Sequence, residues 1–299
     1  MKIKNSQLII AILFLFILYL LSFLPKNGVK KIIKTALLNP KYKEELSEIQ
    51  IENANASVLL KKINGFWFVS LGEDDLVPCE VNTVENFINE LVKVRKLYKI
   101  SDKNSGESSV FFENSSTFNV RFLCNGTYFD FYFGSYDFSK TLRYFMSGKN
   151  TTLYQLDLSL DAFLSSNEGF WCCKTVISKD LAKIKTNADV QSVTVDNKRL
   201  TVKDSVFLPF VNALLDLRHG GAVLLSAAEK ERLFACLPAS QIFMELGNKT
   251  CIFLTFYKME KADGYAVFVN YDGAEADGMI PAFKISDWTL SELFGKLRP

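Results

Sequence analysis

The chain alternates apolar and polar residues from position 48 to position 71, in the stretch EIQIENANASVLLKKINGFWFVSL. Alternation with a period of two is typical of strands with one buried face, and the pair Asn64-Gly65 is typical of a tight hairpin turn. Together these features predict a β-meander. The loop GEDDLVPCE follows it.

After this loop the apolar spacing changes to that of a helix. Apolar side chains recur on one helical face at Phe87, Ile88, Leu91, Val94 and Leu97. We expect the helix to begin at Asn82, because Glu85 three residues later completes the pattern of a capping box.

The same helical pattern returns 123 residues later. FINELVKVRKL (87–97) and FVNALLDLRHG (210–220) share Phe, Asn, Leu and Arg at equal positions. Ser205 falls where Asn82 stands in the first copy, and serine is also a good helix cap. Because amphipathic helices resemble one another, this match alone does not establish a repeat.

Strand-like stretches repeat at a similar distance. The offset of 123 superposes NGTYFDFYF (125–133) on NKTCIFLTF (248–256), with apolar residues of period two in both. YQLDLSLDAFL (154–164) likewise resembles FKISDWTLSELF (283–294), and both are typical of a strand that leads into a short helix. Agreement across cap, helix and strand indicates an internal duplication.

The sequence therefore predicts an α+β protein with two duplicated units, each an antiparallel sheet with a packed helix. The first unit spans residues 46–186 and has an additional N-terminal hairpin that contains Trp67. The second spans residues 187–299 and opens on the hairpin VQSVTVDNKRLTVKD, whose turn is at Asp196-Asn197.

An uncharged apolar run stands near the N-terminus. A short tail (1–7) precedes LIIAILFLFILYLLSFL (8–24), which at ~1.5 Å per helical residue nearly spans a ~30 Å hydrocarbon core. The run is longer than the apolar region of a signal peptide and lacks an A-x-A-like cleavage site, which favours an uncleaved transmembrane signal anchor. Residues 25–45 are then expected to form a basic juxtamembrane linker helix with a turn at Asn39-Pro40.

Several motifs in the first unit resemble a known family. An apolar hairpin with W-x-V, a P-x-[DE] loop, a helix, a strand ending in Phe-Gly within FYFGSYDFSKTLRYF (131–145) and a Tyr-x-Leu strand follow one another. In this order the chain resembles the domain-of-unknown-function 4340 family, found in membrane-anchored proteins related to gliding-motility and ABC-transporter accessory components. Where that family tends to have Pro-Ala-Asp, this chain has Pro78-Cys79-Glu80, and the second copy has Thr201 in place of the proline. The resemblance implies a membrane-tethered, extracytoplasmic module that serves a transporter-like complex, and it carries over no catalytic residue.

Charge and cysteine content narrow the class of protein further. The 35 Lys and Arg nearly balance the 33 Asp and Glu, for a net charge of +2, so no nucleic-acid partner is indicated. Six cysteines, at 79, 124, 172, 173, 236 and 251, match no small disulfide scaffold. Cys172 and Cys173 are adjacent and cannot form an ordinary bridge with each other, and the redox state of the cysteines stays open.

The residues whose side chains could take part in catalysis or metal binding fit a structural role better than a functional one. His219, the only histidine, lies in Leu-Arg-His-Gly-Gly, which is typical of a helix C-terminus closed by glycine. The pair Cys172-Cys173 lacks the two-residue gap of a redox or zinc motif, which favours simple packing.

Two acidic loops and one aromatic stretch also lack the residue spacing of a known ligand-binding motif. YDGAEADG (271–278) contains Asp272, Glu275 and Asp277, but not at the positions of an EF-hand, so a solvated loop is expected there and in GEDDLVPCE. The aromatic stretch 131–145 has one glycine and no GxxxxGK pattern, and alternating Phe and Tyr favour core packing over ligand stacking.

The sequence thus predicts no catalytic, cofactor-binding or metal-binding residue and no cofactor. It favours a non-enzymatic accessory or binding protein of an ABC-type or envelope complex, held in the cytoplasmic (inner) membrane by residues 8–24 with the bulk of the chain extracytoplasmic. An extracytoplasmic ligand-binding receptor or hydrolase is the alternative, and a purely structural envelope protein is a third. A deep pocket with Asp or Glu pairs from both units would favour the alternative, whereas a flat, aromatic-edged surface would favour the accessory protein.

Overall fold

A computed structural model describes residues 31–72, 75–101, 110–113, 116–148, 152–259, 263–273 and 280–298. Within these ranges the protein is α+β, with two large antiparallel sheets and few helices, which confirms the predicted fold class. The predicted tail (1–7), the anchor (8–24) and the start of the linker (25–30) lie outside the described residues. None of the described helices is long and apolar enough to cross a membrane.

The strands and helices have the following bounds. The strands are β1 Ile32–Thr35, β2 Leu46–Glu52, β3 Ser57–Ile63, β4 Phe66–Ser70, β5 Leu76–Pro78, β6 Arg95–Ser101, β7 Phe118–Cys124, β8 Thr127–Tyr136, β9 Arg143–Ser147, β10 Leu153–Leu156, β11 Val190–Val195, β12 Lys198–Thr201, β13 Ser240–Leu246, β14 Cys251–Lys258, β15 Tyr265–Asp272 and β16 Ala282–Ile285. The helices are α1 Val81–Val92, α2 Glu168–Trp171, α3 Phe207–Leu215, α4 Ala227–Phe234 and α5 Asp287–Gly295, with 3-10 turns at Pro40–Tyr42, Leu158–Phe163 and Asn187–Asp189.

The six strands of sheet 2 repeat the order of six strands of the ten-stranded sheet 1, from β10 to β3. Sheet 1 runs β1-β6-β10-β9-β8-β7-β2-β3-β4-β5, and sheet 2 runs β16-β15-β14-β13-β11-β12. Two isolated bridges extend sheet 2 beyond β16: Ala222 pairs with Phe283, and Arg218 pairs with Thr175. The matching pairs in sheet 1 are Lys99 with Tyr154 and Arg95 with Thr35. Residues 218–222 therefore take the place of β6, and Thr175 takes the place of β1.

The helices of the two units also occupy equivalent positions. Helix α1 ends at Val92 and helix α3 at Leu215, 123 residues later. Helix α1 packs on the 3-10 turn Leu158–Phe163, and α3 packs on α5, which occupies the equivalent place after β16. The buried face of α1 consists of Val84, Phe87, Ile88 and Leu91.

A short extended segment joins the two sheets edge to edge. Cys79, directly after β5, pairs with Cys172, while Thr175 of the same segment pairs with Arg218. One continuous hydrophobic cluster contains buried residues of both units, including Phe87 and Phe210. The hydroxyl of Tyr271 in β15 of sheet 2 accepts a hydrogen bond of 2.9 Å from the backbone N–H of Ser178, which follows the joining segment.

The predicted hairpins are confirmed. Asn64 and Gly65 have φ of 51° and 87° between β3 and β4, and Asp196 and Asn197 have φ of 45° and 74° between β11 and β12. Asn and Gly tolerate this left-handed backbone, which matches the twist of a two-residue hairpin. Trp67 lies in β4, which like β5 has no counterpart in sheet 2.

The structure contradicts the predicted linker helix, since its described part contains a strand. Ile32–Thr35 forms β1, the outermost strand of sheet 1, paired with β6. The paired strand provides the backbone hydrogen bonds, and the two β-branched isoleucines suit a pleated surface. Asn39 instead caps the 3-10 turn that begins at Pro40, so the predicted turn is confirmed.

Both predicted helix caps are also wrong, and the first helix is shorter than expected. Helix α1 begins after Glu80, which places Asn82 inside its first turn, and helix α3 begins after Val206 rather than Ser205. Residues from Arg95 onward form β6, in which Arg95 and Leu97 are buried and Lys96 between them is exposed. The sequence here fits both a strand, with its period of two, and the helical spacing. Pairing with β1 and β10 stabilises the strand.

Candidate functional site

An open groove of about 400 Å³ lies between α1 and the β3–β4 hairpin. Its apolar lining comes from the hairpin residues Phe66 and Trp67 and from the helix residues Val81 and Ile88. Trp67 is itself almost fully buried, so packing in the core holds its ring in place. The floor of the groove is therefore rigid and aromatic.

Charged side chains of both signs surround this floor. The rim consists of Lys43, Glu44, Lys62, Glu85 and Asp180. The ammonium of Lys62 lies 6.0 Å from the centre of the Trp67 ring, and Lys43 donates a hydrogen bond of 3.0 Å to the side chain of Asn89 on α1. An apolar centre within a charged, solvent-exposed rim is the usual anatomy of a protein-binding surface.

A second groove of about 550 Å³ lies in the other unit, between α5 and the ends of β14 and β15. Lys258 and Asp287 form an ion pair of 2.6 Å there, and the Lys258 ammonium lies 4.7 Å from the centre of the Tyr265 ring. The groove beside Trp67 takes its residues from positions 43–88 together with Asp180, and the second groove takes its residues from positions 239–298.

Three cysteines and the only histidine meet at the joint between the sheets. Cys79, Cys172 and Cys173 are all buried there. His219 Nδ1 accepts a hydrogen bond of 3.0 Å from Gly221 N–H, so Nε2 carries the proton and donates to the Cys173 carbonyl at 2.8 Å. Its ring also stacks on Phe283, with 4.4 Å between centroids. Both ring nitrogens are engaged with backbone, which leaves His219 no free nitrogen for proton transfer.

This placement shows that the predicted capping role of His219 is wrong. Helix α3 ends at Leu215, four residues earlier, because the following segment turns into an extended strand-like path in which Val176 N–H binds the Leu217 carbonyl at 2.8 Å. Gly220 and Gly221 therefore do not close the helix. Burial lowers the pKa of His219, so the ring is neutral at physiological pH.

The buried thiols are unreactive in the folded protein. Burial raises the pKa of Cys172 to about 11 and that of Cys173 to about 12, and it raises the pKa of Cys79 as well. Catalytic cysteines need the opposite shift, because the thiolate is the nucleophile. The expected packing role of Cys172 and Cys173 is confirmed, whereas their proximity to Cys79 was not predicted.

These pKa shifts predict that the reduced protein loses stability in alkali. Thiols of the unfolded chain ionise near pH 9 while the buried ones stay protonated, so stability is complete below pH 9 and falls as the pH rises towards 12. Each buried thiol should contribute a slope of about 1.4 kcal/mol per pH unit in this window. Urea unfolding at pH 8, 9 and 10 with a phosphine reductant measures it. Cys173→Ala should show a shallower decline, and equal slopes would contradict the assignment.

The other sequence candidates have structural surroundings. In the aromatic stretch 131–145, Phe131, Phe133 and Phe145 are buried, which confirms core packing for these three rings, whereas Tyr136 and Phe138 are exposed. A Cβ on Gly134 would lie 2.6 Å from the Phe111 carbonyl, so the glycine permits a close backbone approach.

The acidic loops are only partly described. Asp272 ends β15, but Glu275 and Asp277 lie outside the described residues. GEDDLVPCE is not wholly a loop, because Leu76–Pro78 forms β5 and Asp75 pairs with Lys230 of α4. In the described ranges, no group of three or more His, Cys, Asp or Glu side chains is arranged to hold a metal ion.

A buried arginine was not singled out from the sequence. Arg143, at the start of β9, is 2% exposed and lies 3.0 Å from Asp161. Its Nε donates to the Gly134 carbonyl at 2.7 Å, and another guanidinium nitrogen donates to the Ser116 carbonyl. Tyr136 covers the guanidinium at 4.7 Å, and its hydrogen bond with Asp161 raises the pKa of the phenol. The donors are all directed at this protein's own groups, so the network is structural.

No protein-family model, curated protein or solved structure matches this chain. The resemblance of the first unit to the domain-of-unknown-function 4340 family therefore stays a prediction, and the groove has to be interpreted from its own geometry.

Proposed function

We propose that this protein is a membrane-anchored, extracytoplasmic accessory protein that binds another protein and catalyses no reaction. The observation that carries the proposal is the groove beside Trp67, with its rigid aromatic floor and its charged rim. Rigid aromatic side chains at the centre of a contact supply most of the binding energy of protein interfaces, while a polar rim excludes water and fixes orientation.

The proposed occupant is an extended segment of a partner protein. The helical side of the groove, from Val81 to Ile88, is about 10 Å long, which suits three or four extended residues. Lys43 and Lys62 on the rim would pair with acidic side chains of such a segment, and Glu85 and Asp180 with basic ones. A mixed rim of this kind favours a polypeptide of mixed charge over a uniformly charged polymer.

The proposed anchor places the partner in the same membrane. Residues 25–31 separate the apolar run 8–24 from β1, and seven extended residues reach at most about 25 Å. Sheet 1 would therefore lie close to the membrane surface. An integral membrane permease, with its ATPase on the other side, is the partner class that this position and the family resemblance favour.

We also infer that the two units arose by internal duplication. The equal strand order and the equivalent bridges of Arg95 and Arg218 support this inference. Because Thr175 takes the place of Thr35, the second unit begins before residue 187, within the segment that joins the sheets.

A ligand-binding receptor or hydrolase is less well supported. Its distinguishing feature would be a deep pocket with carboxylates from both units, whereas both of these grooves are open to solvent. In the second groove Asp287 is already paired with Lys258.

Site-specific crosslinking tests the proposal. The full-length protein, with p-benzoylphenylalanine at the exposed groove position Glu85, is photolysed in its native membranes and purified in mild detergent. We expect a crosslinked partner and stoichiometric recovery of a permease and an ATPase. The same photoprobe at exposed Lys198, on β12 of the second unit, is the matched control.

Two groove substitutions complete this test. Phe66→Ala combined with Glu85→Lys should lower recovery of the partner at least about tenfold, since loss of an aromatic anchor typically weakens binding by 2 kcal/mol or more. Lys198→Glu should leave recovery unchanged. The proposal fails if no protein is recovered in stoichiometric amounts, or if recovery is indifferent to the groove substitutions.

A further inference from the structure

Cys79 and Cys172 oppose each other in an antiparallel pair at the joint between the sheets. Two hydrogen bonds flank them: Cys173 N–H donates to the Pro78 carbonyl at 2.9 Å, and Glu80 N–H donates to the Trp171 carbonyl at 2.7 Å. Neither bond joins the two cysteines, so they form a non-hydrogen-bonded pair. In such pairs the Cα atoms are about 4.5 Å apart and the side chains approach most closely.

This separation falls within the range of about 4.4 to 6.8 Å that disulfides require. We propose that Cys79 and Cys172, which are free thiols in this structure, form a disulfide when the chain folds in an oxidising environment. Each thiol loses its proton, a sulfur–sulfur bond forms, and the two electrons pass to a disulfide oxidant such as oxidised glutathione, which leaves as two thiols.

The neighbouring thiol is directed elsewhere. Successive side chains of an extended segment point to opposite faces, and Cys173 Sγ donates to the Thr175 carbonyl at 3.2 Å. Cys124 and Cys251 lie in β7 and β14, and Cys236 is exposed after α4. Cys172 is therefore the partner that the backbone presents to Cys79.

The position of the pair determines when the bond forms and what it does. Cys79 and Cys172 are 2% and 4% exposed, so exchange takes place before the joint closes, and the finished bond is shielded from reductants. It would tie the edge of sheet 1 to the segment that begins sheet 2. The bond closes a loop of roughly 90 residues, which restricts the unfolded chain strongly. This inference concerns the chain alone and does not depend on a partner at the groove.

Refolding under a glutathione redox buffer tests the pairing. The unfolded full-length protein is refolded with reduced and oxidised glutathione, quenched in acid, alkylated in denaturant, digested and analysed by mass spectrometry. We expect one crosslinked peptide that joins Cys79 to Cys172, with the other four cysteines alkylated. Cys173→Ala should retain the crosslink and Cys172→Ala should abolish it.

Stability provides a second measure. The oxidised protein should unfold at a temperature on the order of 5 to 10 °C above that of the reduced protein, and this difference should vanish in Cys172→Ala. Alkylation of Cys79 after oxidative refolding, or a crosslink from Cys79 to Cys173, would overturn the proposal. Because the wild-type crosslink is the primary result, the test holds even where a variant does not fold.

Discussion

Replacement of Arg143 by alanine is expected to lower the free energy of unfolding by about 3 to 5 kcal/mol. The guanidinium is 2% exposed, and its removal takes from Asp161, a 19% exposed carboxylate, the cation with which it pairs. The Gly134 and Ser116 carbonyls lose their donors at the same time. Breaking a buried pair costs more than the pair contributes, because the remaining charge stays desolvated. The shift in urea midpoint of the full-length protein in mild detergent measures the loss.

Arg121 provides a matched control in the same sheet. It pairs with Asp130 at 2.7 Å, but its side chain is 47% exposed. Arg121→Ala should therefore cost no more than about 1 kcal/mol, since an ion pair with a half-exposed guanidinium is screened by water and contributes little to stability. The double variant Arg143→Ala with Asp161→Ala should be less destabilised than the sum of the single variants. If Arg143→Ala and Arg121→Ala have equal effects, the buried network does not stabilise the fold.

The fold could be predicted to the extent that local signals determine it. The turns at Asn64-Gly65 and Asp196-Asn197 locate two hairpins, because few residues tolerate positive φ at both positions. The offset of 123 residues located equivalent helices and strands even where the element type was wrong. Arg95 and Arg218 are indeed equivalent, but in the strand-like neighbours of β10 and β16 rather than in helices.

The errors arise where a distant segment decides the local structure. Ile32–Thr35 resembles the start of a basic helix, and only its pairing with β6, some 60 residues later, makes it a strand. The candidate site was not predicted for the same reason. The groove brings Lys43, Trp67 and Asp180 together, and the joint brings Cys79 to Cys172, across separations that no spacing rule covers. The sequence located Trp67 in a hairpin, but it indicated neither a groove beside that residue nor the residues that line it.

The second large effect is expected at Trp171, the last residue of α2, directly before the segment that joins the sheets. Its ring is fully buried, 5.6 Å from the Phe87 ring of α1 and 4.9 Å from Phe170. Its Nε1 donates a hydrogen bond of 2.8 Å to the Ser165 carbonyl. Trp171→Ala should lower the free energy of unfolding by about 3 to 5 kcal/mol, through the cavity and the unpaired carbonyl. Urea unfolding followed by circular dichroism measures this loss independently of the tryptophan signal.

Comparison with two further variants separates packing from a general effect of tryptophan loss. Trp288 on α5 is 72% exposed, so Trp288→Ala should change the free energy of unfolding by less than about 0.5 kcal/mol. The loss for Trp171→Phe should lie between those of Trp171→Ala and Trp288→Ala, because phenylalanine keeps most of the ring volume but not the hydrogen bond.

The cavity in Trp171→Ala should also loosen the joint between the sheets. Trp171 contacts α1, and its backbone carbonyl accepts a hydrogen bond of 2.7 Å from Glu80 N–H. Amide hydrogen exchange at Glu80 and Cys173 should then rise in Trp171→Ala more than exchange in β14, and uniform acceleration would show that the joint is not a separate unit of stability.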